Sequence, residues 1–152
     1  MPHFIKGDPN DGGRFGVKQI LRDAHPGTFS MEHYTIAASS VEPEDVAGTM
    51  MPLLQRGEAM AKITSGPEAG KIGPFQAGVT DGRENVANLV GLEDTFLPYQ
   101  LMDGDQEGAV YYRAIAVAAW CTERDAAGAR VPISQTTIDA LRGKVDLDIL
   151  FT

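Results

Sequence analysis

Apolar positions crowd into one long stretch and several short ones. The long stretch is Ala109-Val110-Tyr111-Tyr112-Arg113-Ala114-Ile115-Ala116-Val117-Ala118-Ala119-Trp120-Cys121, broken only by Arg113. A polar turn, Asp103-Gly104-Asp105-Gln106-Glu107-Gly108, precedes it, and Glu123-Arg124-Asp125 follows. Its alanines favour helix, while Val110, Tyr111, Tyr112, Ile115, Val117 and Trp120 favour strand. As a strand it presents Tyr111, Arg113, Ile115, Val117, Ala119 and Cys121 on one face. Val110, Tyr112, Ala114, Ala116, Ala118 and Trp120 lie on the other. Neither face is polar, so such a strand is covered on both sides. The turn before it suits a hairpin and favours strand; a buried helix is the alternative.

From Thr49 onward, short apolar segments alternate with turns. The spacing predicts strands over 59–64, 71–75, 86–93 and 131–133. Residues 96–102 are expected to be the hairpin partner that enters the turn at 103–108. Short strands at this spacing point to a β-rich sandwich or barrel. One helix is signalled after them: Ser134 as N-cap, a body over 135–142, Arg142 in the last turn and Gly143 as the stop. Ile138 and Leu141 make a narrow apolar side, so this helix should cap the sheet. In the tail, Val145, Leu147 and Ile149 alternate with Asp146 and Asp148, which predicts a closing strand with one wet face.

The first 44 residues differ. Gly7, Pro9, Gly12, Gly13, Gly16, Pro26, Gly27 and Pro43 punctuate them. Two helical turns are expected over 17–24, stopped by Pro26, and an extended segment over 29–40. The segment is weakly able to build a core, yet it carries Phe4, Ile5, Phe15, Val17, Ile20, Leu21, Phe29, Tyr34 and Ile36. It is either an arm that packs on something else or an N-terminal strand and helix docked on the same domain. The expected division is an extended arm over 1–44 and a β domain over 45–152.

Charge and chemistry narrow the function. At 152 residues, a single domain with a real core is expected. With 13 Lys+Arg against 21 Asp+Glu, the net charge is −8, which argues against binding nucleic acid or an anionic membrane. The single cysteine, Cys121, excludes an internal disulfide and reads as a small buried hydrophobe. The N-terminus lacks the apolar core of a signal peptide, and no stretch suffices to span a membrane. Synthesis and folding in a cytoplasm are expected.

His3, His25 and His33 show no metal-ligand spacing with one another or with Cys121, and all three lie in the segment least able to hold the rigid geometry of a catalytic base beside a nucleophile. Gly66 to Lys71 lacks the glycine and the hydroxyl of a phosphate loop. The acidic turn at 103–108 resembles half a calcium loop, but Ala114 stands where the bidentate glutamate is required. Arg83 with Glu84, and Glu123 with Arg124, read as solvated turn charges. No catalytic, cofactor or metal site is expected, and the chain is read as a binding or structural protein, not an enzyme.

Several stretches carry a family resemblance. They are Gly57-Glu58-Ala59-Met60, Gly70-Lys71-Ile72-Gly73-Pro74-Phe75, Val86-Ala87-Asn88-Leu89-Val90-Gly91-Leu92 and Gly108-Ala109-Val110. Val131-Pro132-Ile133 and Thr137-Ile138-Asp139-Ala140-Leu141-Arg142-Gly143, followed by a terminal strand, complete them. From about residue 54 to 151 the chain resembles the lambda D-type head decoration proteins of tailed bacteriophages. The resemblance implies a β-rich α+β fold: a compact β-tulip or barrel-like domain with short helices and an extended N-terminal arm. It implies a homotrimer at three-fold and quasi-three-fold positions on the outer surface of the virion capsid. The partner would be the major capsid protein, clamped by an arm whose anchors are the apolar residues named above, Phe4 to Ile36. Two alternatives remain: another virion part, such as a tail-tube or spike-base domain, or a ligand-binding barrel or enzyme with His33 near Glu58 or Asp81.

Overall fold

The chain, seen in a computed structural model, is described over residues 20–22 and 27–152. Over these residues it is a β-rich fold with one α-helix. The strands are β1 (Ser30–Ile36), β2 (Pro43–Val46), β3 (Thr49–Pro52), β4 (Ala59–Lys62) and β5 (Ile72–Pro74). They continue with β6 (Leu89–Glu93), β7 (Gln106–Ala116), β8 (Thr122–Arg124) and β9 (Arg130–Pro132), then helix α1 (Gln135–Gly143) and β10 (Asp148–Phe151). Six strands form one mixed sheet in the order β1-β5-β4-β6-β7-β10. Strand β1 also pairs antiparallel with β7, so the pairings return from β7 to β1. Strands β2–β3 and β8–β9 are two separate hairpins.

Two apolar clusters lie against this sheet. Each of β1, β5, β4, β6 and β7 gives one side chain to the same cluster: Ile36, Ile72, Met60, Val90 and Val110. The other cluster takes Ala59, Ala61, Leu89, Leu92, Tyr111, Ala114 and Ala116 from β4, β6 and β7. It is closed by Leu141 of α1, Ile149 of β10, and Ile20 and Leu21. Strand β7 lies between the two clusters at Val110 and Tyr111, but the covering on both faces expected of the long stretch does not extend along it: Tyr112, Arg113 and Ala119 are exposed.

The facing of β7 departs from simple alternation. Ser30 pairs with Arg113 but Met31 pairs with Tyr111, so Tyr112 is an extra residue, a bulge. A bulge flips the parity of the strand beyond it. Tyr111, Ala114 and Ala116 consequently share one cluster, and Tyr112 is exposed. Strand β6 repeats the device: Met60 pairs with Gly91 and Ala61 with Leu89, leaving Val90 as the extra residue. Leu89 and Leu92 thus face one cluster and Val90 the other.

Gly91 is required where these strands meet. Its φ is +140°, and a Cβ there would lie 1.9 Å from the Tyr111 carbonyl oxygen. Gly91→Ala is expected to cost about 3 kcal/mol through backbone strain and separation of β6 from β7. Urea unfolding measures it; a loss within about 0.5 kcal/mol would mean that the two strands do not approach this closely.

Other expectations are corrected. Strand β7 begins at Gln106 and ends at Ala116, and Ala118–Trp120 is a 3-10 turn. Residues 96–102 are not its hairpin partner: Leu97 bridges Leu54, and Gln100–Asp103 is another 3-10 turn. The segment at 86–93 opens with the 3-10 turn Val86–Asn88, where the Asn85 side chain accepts from Ala87 N–H. The helix begins where expected, with Ser134 Oγ accepting from Thr137 N–H, and Gly143 is its last residue. The closing strand is shorter than expected: Leu147 and Ile149 are buried, but Val145 is 99% exposed. Ser30–Ile36, inside the expected arm, is a full member of the sheet. The two helical turns expected over 17–24 lie outside the described residues except at 20–22, where Leu21 bridges Ala116. Among the described residues, no helix is long and apolar enough to cross a membrane.

Candidate functional site

The residues expected to grip a partner fall into two groups. Phe4, Ile5, Phe15 and Val17 lie outside the described residues. Ile20, Leu21 and Ile36 are 1%, 4% and 0% exposed, packed into the chain's own clusters. Phe29 meets the Tyr111 ring edge-on at 5.6 Å. Tyr34 is half-buried, and its hydroxyl donates to Glu32 at 2.8 Å. Burial and that carboxylate raise the Tyr34 pKa. Docking on the same domain, one of the two alternatives for this segment, describes these five residues.

A buried charge cluster is the main polar feature. Glu58 enters β4 with its side chain 0% exposed, beside Arg124 of β8 at 2% and Arg130 of β9 at 13%. Glu58 Oε1 accepts from Arg124 Nε at 3.0 Å and from Arg130 Nε at 2.6 Å. Arg124 also donates to the carbonyls of Gly128 and Leu53, at 2.9 Å each. Arg130 donates through both terminal nitrogens to Glu44 of β2, at 3.0 and 2.8 Å. Burial disfavours the Arg130 cation, but Glu58 and Glu44 outweigh it and its pKa is raised. Two cations and two anions thus close the space between β2 and the β8–β9 hairpin. A cleft of about 640 Å³ remains beside them, lined by Glu44, Gln55, Thr122, Arg124 and Arg130 among others.

A second network flanks β7. Tyr111 Oη donates to Asp94 Oδ1 at 2.5 Å, and Asp94 also holds Arg56. Burial and Asp94 push the Tyr111 phenol up to about 12. Next to it Glu93 is fully buried; its Oε1 accepts from Thr95 N–H at 2.8 Å, and its Oε2 has no partner among the described residues. Burial foremost, then repulsion from Glu58, raises the Glu93 carboxyl to about 8 against the pull of the Thr95 N–H.

The remaining polar candidates are committed elsewhere. His33 is exposed on β1, Glu58 belongs to the arginines, and Asp81 is held by Arg83 Nε at 2.9 Å. Asp105, in the acidic turn, is paired with Lys71 and accepts from Ala38 N–H at 2.9 Å. Lys71, at the false phosphate loop, is also paired with Glu68. No group of three or more potential ligands stands together as a metal cage among the described residues. Arg83 and Arg124, expected as solvated turn charges, are buried; Arg83 donates to the carbonyls of Ser40 and Pro74, at 2.9 and 3.2 Å. Glu84 is exposed, and Glu123 accepts from Thr137 Oγ1 at 2.5 Å. Sequence reasoning missed the cluster; its one local sign was Arg124, two residues after Thr122 and so on the same strand face. Comparison with protein-family models, curated proteins and solved structures finds no match to the chain.

Proposed function

We propose that this chain is a capsid decoration protein: it binds the outside of a mature phage head as trimers and stabilises the shell. One observation carries the proposal. The stretches that resemble the decoration family fall where elements begin or cross: Glu58 before β4, Ile72 to Pro74 as β5, Gly91 at the β6–β7 contact, Gly108 in β7, and the helix before the last strand. The return of pairings from β7 to β1, around one side chain from each of five strands, favours the barrel-like form that the family implies.

The mechanism is thermodynamic. A protein that binds only the expanded lattice stabilises it by mass action. Three modest contacts on one trimer strengthen each other through effective concentration. The clamp is drawn from residues before Ile20, with Phe4, Ile5, Phe15 and Val17 as its anchors, because Ile20, Leu21 and Ile36 are already covered by their own chain.

Co-sedimentation with undecorated, expanded capsids tests this. Bound protein, at a trimer mass by light scattering, is expected. Deleting residues 1–19 should weaken binding at least ~10-fold, the loss of about 1.4 kcal/mol of contact, without lowering the unfolding midpoint. Deletion through residue 44 is not equivalent, since it removes β1. Intact protein that stays wholly in the supernatant would sink the proposal.

A further inference from the structure

We propose that the cleft between β2 and the β8–β9 hairpin is a carboxylate-binding site. A ligand carboxylate takes the place on Arg130 that Glu44 occupies in the free protein. This does not rest on the capsid function.

The geometry is that of a carboxylate receptor already filled from within. Arg130 offers both terminal nitrogens to the two oxygens of Glu44, at 3.0 and 2.8 Å. A planar guanidinium fork matches a carboxylate in this way and a point charge does not. The fork does not depend on Glu44 for its orientation. Its Nε is fixed by buried Glu58 at 2.6 Å, and a terminal nitrogen also donates to Leu53 O at 3.1 Å.

Glu44 is the exchangeable member. Its side chain is 32% exposed, against 0% for Glu58, 2% for Arg124 and 13% for Arg130. It sits on a hairpin whose strands contain no buried residue. With Glu44 swung away, two arginines face one glutamate, which leaves a cationic hole in a chain of net charge −8. A second anion restores the balance.

Thr122 supplies an independent sign of a ligand. It is 4% exposed, lines the cleft, and its Oγ1 has no hydrogen-bond partner among the described residues. Buried hydroxyls are nearly always paired. A ligand that carries a second acceptor beyond the carboxylate on Arg130 would satisfy it. The volume of about 640 Å³ suits a small dicarboxylate or the end residues of a peptide.

Glu44 competes from within the same chain, so binding to the wild type is weak. Titration calorimetry on the full chain tests the proposal with two probes: succinate, and a tetrapeptide with a free or an amidated C-terminus. Glu44→Gln is expected to bind a carboxylate probe at least ~10-fold more tightly than the wild type. Adding Arg130→Lys, which keeps the charge and loses the fork, or Thr122→Val should reverse most of that gain. Melting curves of each variant verify folding, and Thr122→Val keeps the test alive if Arg130→Lys does not fold. Succinate binding assigns the site to a free small acid; binding of only the free-terminus peptide assigns it to a chain end. Glu44→Gln binding neither probe, binding no more tightly than the wild type, or binding the amidated peptide as well as the free one overturns the proposal.

Discussion

Arg124→Met is expected to destabilise the chain by about 3–5 kcal/mol, seen as a lower urea midpoint with an unchanged slope. The cause is not the loss of a favourable ion pair. Moving charges out of water is expensive, and a buried pair often only breaks even against apolar residues of similar volume. The cost arises from what is left behind. Glu58 stays fully buried with Arg130 as its one cation, and the carbonyls of Leu53 and Gly128 each lose a donor at 2.9 Å. The same logic predicts strong coupling. Glu58→Met alone strands Arg124, but Glu58→Met with Arg124→Met removes both charges and leaves Arg130 on Glu44. The double variant should therefore be more stable than the sum of the two single losses predicts, by about 2 kcal/mol. Strict additivity in the double-mutant cycle would show that Glu58 and Arg124 do not depend on each other.

What could be seen in the sequence follows the reach of each signal. The helix was legible because its determinants are local: a serine cap, an apolar pair at Ile138 and Leu141, and a glycine at the end. Strand β7 was legible as a strand, but its facing was not. The extra residue at Tyr112 arises from how β7 pairs with β1, some eighty residues upstream in the chain. The same limit hid the charge cluster. Arg124 meets Glu58 across 66 positions, and Arg130 meets Glu44 across 86. Read in its own window, Arg124 is one charge among three in a turn. Val145 failed for another reason: it continues the alternation of Leu147 and Ile149, but the chain joins β7 only from Asp148. Periodicity marks a face, and only pairing decides where that face begins to be covered.

The first 44 residues separate under the same test. Composition made them look poor in core-forming capacity, and on their own they are. Of the described ones, several pack beside β7: Ser30–Ile36 pairs along it, Leu21 bridges Ala116, and Phe29 packs on Tyr111, while Ile36 also pairs with Ile72 of β5. Strand β1 therefore belongs to the body, where it pairs with both β5 and β7.

Glu93→Gln is expected to change how stability depends on pH, and by an amount comparable to the loss of Arg124. Glu93 has a carboxyl near 8 in the folded chain against an ordinary 4.5, chiefly because it is buried, with Glu58 and Asp94 adding repulsion. Between those values the folded chain holds a proton that the unfolded chain has released. Stability from the neutral carboxyl is therefore complete below about pH 4.5 and is lost as pH rises through 8. The slope is about 1.4 kcal/mol per pH unit, and the whole window is worth on the order of 5 kcal/mol. Glutamine keeps the acceptor for Thr95 N–H and cannot ionise. The variant should match the wild type near pH 4.5 and exceed it increasingly toward pH 8. Urea unfolding of both proteins across that range reads the difference directly. A difference that stays flat with pH would show that Glu93 ionises in the folded chain as readily as in water, and that its site beside Gly108 is open to solvent.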